Sequence, residues 1–369
     1  MKVAREISGV VLPFAAGVAA AVWPGCLPCI RPGISTGLSY AAVTSSAALL
    51  FHFRNRPVPP SYLRMAICIC MASCGILCGL TSEILSPGIS FTDNILEAIG
   101  ALGAATGKLI DEIGFRSSDT NAMIKALIIG DRSDIPAHIT ESFRSSGASH
   151  ILALSGLHLG MIHYICTKIL SILGNSPRAQ TIRSASTVLL CGLYTLATGA
   201  GASIVRAFLF ILIGERARIA KSSRSLGTTL MSALLIHLTI SPQSIREVGF
   251  QLSYAAIAGI AYIFPWLRNF WPDSGKEKKG PLLRIWESAA LSISCQITTG
   301  PLAYLYFGTF PVHFIMTNLI ALPLTGLIIP SSLLTICLEA FGICPPILYR
   351  ASEILVTALS DALEIISLM

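Results

Sequence analysis

The sequence predicts an all-α, polytopic membrane bundle, and three observations carry that prediction. Of 369 residues, 53% are hydrophobic and only 12% charged, roughly half the charged share of an ordinary soluble protein. Mean hydropathy is +0.71, which excludes a soluble enzyme, a disordered chain and a disulfide-rich secreted domain. Charge-free runs long enough to cross a bilayer as helices recur along the chain, and none alternates with the period of a barrel strand.

The runs cover residues 7–30, 32–53, 65–82, 145–167, 184–205, 225–245, 248–267 and 288–338. The last holds 51 residues and is long enough for two passes. Pro301, Pro311, Pro323 and Pro330 punctuate it and are expected to kink or end helices. These runs give about eight to eleven membrane segments. Lys2 and Arg5 precede an apolar run too long for a cleaved leader, so the first run reads as an uncleaved span.

Net charge is +7, and its placement sets the expected topology, because cytoplasmic loops collect Lys and Arg. Lys2 and Arg5 put the N-terminus inside; Arg54, Arg56 and Arg64 put the second loop inside. Residues 83–150 then fall outside. Between 84 and 150 eight acids face five bases: Asp93, Glu97, Asp111, Glu112, Asp119, Asp131, Asp134 and Glu141 against Lys108, Arg116, Lys125, Arg132 and Arg144. Arg178 and Arg183 return inside. So does the loop 215–224, where Arg216, Arg218, Lys221 and Arg224 face Glu215 alone. Only 31 residues separate Arg183 from Glu215, whereas two full spans need about 40. The expectation is a re-entrant pair turning at residues 198–203. A re-entrant 145–167 would satisfy the same parity, but it would leave Arg178 and Arg183 outside.

The expected organisation is N-terminal spans at 1–85, outer amphipathic helices at 86–150, a membrane core at 151–345 and a C-terminal amphipathic helix at 346–369. Ile95, Leu96, Ile99, Leu102, Leu109 and Ile110 recur at helical spacing in the outer segment. Pro136 marks a helix start there and Gly147 a helix end. In the C-terminal helix Glu353, Thr357, Ser360, Asp361 and Glu364 share one face, with Ile354, Leu355, Ala358, Ala362 and Ile365 opposite or beside them. Such a helix fits a surface or a bundle flank.

Polar residues at membrane depth are the functional candidates. His150, Ser155 and His158 lie where one run begins, and Ser155 and His158 share a helix face. They could form a nucleophile pair if Asp131 or Asp134 oriented the histidine. The plainer reading is helix packing, with Gly156 and Gly160 permitting close approach. The seven histidines show no paired metal-ligand spacing, so neither a metal nor a cofactor is expected. Cys26 and Cys29 form a lone C-x-x-C, and Cys68, Cys70, Cys74 and Cys78 stripe one span, where thiols pack as small apolar groups. Arg206 is the costliest residue in the sequence. A charge at bilayer depth costs about 2.5 kcal/mol or more without water, partner or ligand. It follows the break at Gly199 and Gly201, and guanidinium suits a phosphate; a backbone carbonyl or Glu215 would be the structural partner. Gln251 and Ser253 enter one run. Gln296, Gly300, Pro301 and Asn318 interrupt another, Gly300 and Pro301 reading as a helix break. Together these polar interruptions read as a path lined by several helices.

Four stretches, in order, resemble the membrane channel domain of the ComEC competence family. They are ALIIGDRSDI (126–135) with FRSSGASHILALSGLHLGMI (143–162), GASIVRAFLF (201–210), SPQSIREVGFQLSYAAIAGI (241–260), and TTGPLAYLYFGTFPVHFIMTNLIALP (298–323). The resemblance spans roughly 95–340. It implies a channel, not an enzyme, in the bacterial inner membrane that passes one DNA strand to the cytoplasm during natural transformation. The expected path residues are Arg206, Ser155, His158, His150, Gln251, Ser253 and Asn318. Many members carry an oligonucleotide-binding barrel, for which residues 85–94 leave no room, and a metallo-β-lactamase-like domain, whose His-x-His-x-Asp-His motif the sequence lacks. The expectation is a short form beside single-stranded DNA, membrane lipid, a DNA receptor, a separate nuclease and a cytoplasmic motor. The competing readings are an intramembrane serine hydrolase using Ser155 and His158, a small-anion transporter, and an inactive family remnant.

Overall fold

The computed structural model describes residues 2–23, 40–48, 50, 59–81, 103–115, 117–174, 176–222, 225–270, 280–308, 310 and 312–369. Among them the regular structure is helical throughout. Cys26, Cys29, Arg54, Arg56, Ile95, Leu96, Ile99, Leu102, Arg224 and Pro311 lie outside the described residues, as do Leu85 to Asn94.

Helices α1 (Lys2–Val22) and α2 (Pro60–Thr81) meet through small residues. A β-carbon on Gly17 would sit 2.0 Å from the Ala72 carbonyl oxygen, and one on Gly75 2.1 Å from that of Phe14. The two backbones touch there, a packing mode that only glycine allows. Cys74 and Cys78 pack as half-buried thiols against the apolar core that α1 shares with later helices.

A helical segment at 103–112 leads into α3 (Ser118–Ile128), α4 (Ala137–Ser145) and α5 (Ser149–Leu152). Ser117 caps α3, and α4 starts after Pro136 and ends before Gly147, whose φ is 82°. Lys125 is bound by Asp111 and Asp134 at 2.7 Å each, and these bonds, Asp111 foremost, raise its pKa above the ordinary lysine value. The carboxylate of Asp131 accepts from the amide and hydroxyl of Ser133, which lowers its pKa.

Helix α6 (Gly156–Ile169) runs into a 3-10 turn (Leu170–Leu173) and is followed by α7 (Pro177–Ala197) and α8 (Ala202–Ile219). Helices α7 and α8 form the hairpin that the glycine run predicts. Gly199 (φ 80°) and Ala200 (φ 49°) make its turn. Its arms, at 21 and 18 residues, are longer than the charge-free stretch between Arg183 and Glu215. They continue as helix through Arg178 and Arg183 at one end and through Glu215, Arg216 and Arg218 at the other. At 1.5 Å per residue they extend about 31 and 27 Å.

Helix α9 (Leu226–Ile240) packs on α1. Helix α10 (Val248–Ala258) continues through a π-helical turn (Gly259–Ile263) into α11 (Phe264–Arg268). Helix α12 (Pro281–Phe307) then follows without interruption. The helix break expected at Gly300 and Pro301 does not occur. Pro301 lacks the N–H for one helical hydrogen bond inside α12, yet α12 stays continuous, packed against α10 and α13, and Thr298 and Thr299 hydroxyls donate to carbonyls a turn back. Gly300 serves a different purpose: a β-carbon there would lie 2.9 Å from the Phe310 ring, which folds back against α12. The chain turns at Gly308, whose φ is 67°. Pro323 and Pro330 likewise sit inside a continuous α13 (Phe314–Glu339).

The last helix, α14 (Pro346–Ser367), buries Ser352, Val356, Leu359, Leu363 and Ile366. It shares one apolar core with α13 and with residues 110–152, including Phe143, Ile151, Ile328 and Leu359. Phe115 stacks edge-on against Tyr349 near one end of α13, and Thr317 donates to the Ser146 carbonyl at 2.7 Å near the other. The segment therefore lies along α13 for most of its length. Among the described residues, four stretches are long and apolar enough to cross a membrane: Ser61–Thr81, Gly156–Leu173, Val248–Arg268 and Phe314–Glu339.

Candidate functional site

Helices α6, α8, α10, α12 and α13 each pack against the next, and α13 packs back on α6, closing a ring of five. The polar residues singled out by sequence map onto this ring, apart from His150.

On α6, Ser155 is the N-cap. Its hydroxyl receives the Leu157 amide, and its own amide donates to His158 Nδ1 at 3.2 Å. The Ser155 Oγ lies 3.0 Å from the same nitrogen. Nδ1 is thus an acceptor, so the proton of the neutral ring is on Nε2. That Nε2 is buried and has no hydrogen-bond partner among the described residues. Neither Asp131 nor Asp134 orients the ring, since they bind Ser133 and Lys125. The pair is a capping box with histidine at the third position, and Gly156 lies against Ala207 of α8. His150 stands apart on α5, exposed, with Nδ1 3.2 Å from the Gly147 carbonyl oxygen.

On α8, Arg206 is 1% exposed. Its Nη2 donates to the Gly249 carbonyl at 2.7 Å. The guanidinium sits 5.8 Å from the ring centroids of both Phe250 and Tyr254, within cation–π range. Its Nε and Nη1 have no partner among the described residues. The carbonyl named as one structural alternative is therefore present, and Glu215 is engaged elsewhere.

On α10, Gln251 donates to the Ile245 carbonyl and accepts from the Tyr306 hydroxyl of α12 at 2.8 Å; Ser253 is half-buried. On α12, Gln296 has a buried Nε2 without a partner. On α13, Asn318 reaches Ser292 of α12 through Nδ2 at 3.4 Å, while its Oδ1 is buried and unpartnered. Four of the five ring helices thus hold a buried polar atom that no described group satisfies. Such atoms are costly unless water or a ligand meets them.

Sequence reading missed one cluster. Glu215, assigned to a loop by charge counting, is buried. It accepts from His163 Nε2 of α6 at 2.9 Å, from Ser184 of α7 and from Arg218 of α8. This carboxylate ties three helices together. Its only signal in the sequence was isolation: no other acid occurs between residues 142 and 246. Among the described residues, no group of three His, Cys, Asp or Glu could hold a metal.

An all-helical bundle with several stretches long and apolar enough to cross a membrane defines a multi-pass helical membrane protein. The chain belongs to the competence protein family, whose model matches residues 127–369. It is 25% identical over 205 residues to ComE operon protein 3 of Bacillus subtilis, a match covering 56% of this chain and 25% of that protein. It is also 25% identical over 220 residues to Competence protein ComA of Neisseria gonorrhoeae, covering 56% of this chain and 29% of that one. The chain therefore spans less than a third of either relative. No solved structure gives a significant match.

Proposed function

We propose that the five-helix ring conducts a single DNA strand across the bacterial inner membrane into the cytoplasm during natural transformation. The observation that carries this reading is the set of buried, unpartnered polar atoms on four ring helices: His158 Nε2, Arg206 Nε and Nη1, Gln296 Nε2 and Asn318 Oδ1. A phosphodiester leaving water needs fixed donors in exchange, and two guanidinium nitrogens supply them. Amide groups of both polarities suit sugar and base edges without demanding a sequence. Membership of the competence family supports the same direction.

Charge sets the proposed orientation. The ends of α6, α7 and α8 that carry Lys168, Arg178, Arg216 and Lys221 face the cytoplasm, as does the N-terminus. The acid-richer segment before α6 faces outward, and the α7–α8 turn lies on that same side, where Tyr194 donates to the Ile128 carbonyl and Ala197 meets Gly103, so the two arms cross the bilayer rather than re-enter it. A DNA receptor, a separate nuclease, a cytoplasmic motor and single-strand-binding proteins complete the machine. Ser155 serves as a cap in this reading, not as a nucleophile, and the chain is not an enzyme.

The test is deletion of the gene in a transformable host, scored with marked DNA. Transformation should fall to background and return on complementation; unchanged transformation would refute the reading. The unpartnered Nε and Nη1 of Arg206 also suit a small anion. Reconstituted vesicles separate the two: flux of labelled phosphate without passage of an oligonucleotide would favour the anion transporter.

A further inference from the structure

A basic surface forms at one end of α6, α7 and α8. Gly156 meets Ala207 and His163 meets Glu215, so α6 and α8 run parallel. Ser184 meets Glu215 and Gly192 meets Phe208, so α7 runs opposite to them. The C-terminal ends of α6 and α8 and the N-terminal end of α7 are therefore neighbours. They gather Lys168, Arg178, Arg183, Arg216, Arg218 and Lys221. Glu215 is the only acid available to them nearby in sequence, and it is buried and already bound by His163, Ser184 and Arg218. Arg178, Arg216 and Lys221 are exposed and form no ion pair among the described residues. Apolar side chains interleave with these cations. The 3-10 turn between α6 and α7 buries none of its residues, and Ile172 is 87% and Leu173 52% exposed, with Ile169, Ile182 and Ile219 also bare.

We infer that this end is a binding site for anionic phospholipid headgroups, with the Leu170–Leu173 turn seated among the acyl chains beneath them. A cytosolic nucleic acid would meet the cations but would leave five large apolar side chains in water, at a cost near 25 cal/mol per Å². A neutral lipid would cover the apolar groups and leave the cations without counter-charge. An acidic lipid answers both demands, with phosphates at the Arg and Lys heads and chains along Ile169, Ile172 and Ile182. The inference does not depend on the strand-conducting reading.

The whole chain, reconstituted in phosphatidylcholine nanodiscs with and without phosphatidylglycerol, tests it. Wild type should melt at higher temperature in the anionic discs, and phosphatidylglycerol should stay bound through native mass spectrometry. The triple variant Arg178→Gln, Arg216→Gln, Lys221→Gln should lose that difference, with headgroup affinity falling about fivefold per residue removed. A double variant, Arg178→Lys with Arg216→Lys, should retain it, which separates charge loss from misfolding. An undiminished lipid effect in the triple variant would overturn the inference. So would charge-dependent binding of a fluorescent single-stranded oligonucleotide to this surface in neutral discs.

Discussion

Arg206 and Glu215 stand nine residues apart on α8, and burial gives them opposite circumstances. Both carboxylate oxygens of Glu215 accept from donors, His163 on one and Ser184 and Arg218 on the other. Removing the carboxylate would leave Arg218 without its counter-charge and His163 Nε2 and Ser184 without their acceptor, so Glu215→Ala should lower stability by about 3 kcal/mol, less in a double variant that also lacks His163. Denaturant titration in detergent measures both. Arg206 instead keeps two donors idle, and this is why it belongs to the proposed path and Glu215 to the scaffold. At Ser155 a substitution separates cap from nucleophile, since Oγ lies 3.0 Å from His158 Nδ1 in either role. Ser155→Ala should cost about 1 kcal/mol, whereas Ser155→Asn retains a capping oxygen and should leave both stability and DNA uptake near wild type. Loss of uptake in a stable Ser155→Asn protein would restore a chemical role for the hydroxyl.

At the scale of elements, the sequence shows the helices and their caps more clearly than their ends. Ser176 with Pro177, Ser225, and Pro136 with Gly147 are local signals, and the structure uses each of them. The α7–α8 turn was legible too, because consecutive glycines have few other uses inside an apolar run. Its arm lengths were not. Charge counting stops a span at its first ionised residue, but Glu215 is paired with Arg218 three positions on and is also bound by Ser184 and His163, 31 and 52 positions away, and no local pattern reports those distant donors. Pro301 misled for a related reason, since tertiary packing holds α12 together across the missing backbone hydrogen bond. Two substitutions probe this scale. Ala200 occupies a left-handed conformation that costs an L-residue about 1 kcal/mol, so Ala200→Gly should raise the melting temperature slightly. Gly75→Leu should separate α1 from α2, because the added side chain meets the Phe14 backbone; protease nicking in the 51–58 region would report it.

Over the whole molecule, two features lie beyond linear reading. The ring closes only because α13 returns to α6, a contact between residues more than a hundred positions apart. The C-terminal helix joins the core of residues 110–152, so these stretches should unfold together. The Lys125 network offers a check on that unit. Its pKa is raised in the folded state, so its stabilisation is complete below the unfolded lysine value near 10.5. It is lost as pH rises through the higher folded value. Melting of the wild type but not of Lys125→Met should show that additional alkaline loss. The proposed orientation has its own test. Single cysteines at 216 and 221 should react with an impermeant thiol reagent only after spheroplasts are opened, and one at 138 should react before.

The central claim is that a strand passes through the ring of α6, α8, α10, α12 and α13, and photo-crosslinking tests it most directly. A photoreactive residue is placed in turn at 158, 206, 296 and 318, and at the exposed apolar positions 189 and 327, while labelled transforming DNA is being taken up. The ring account predicts strand adducts at 296 and 318, where substitution should spare transport, and none at 189 or 327. It also predicts arrested uptake with the residue at 206. Adducts at 189 or 327, or none at any ring position while uptake continues, would contradict it.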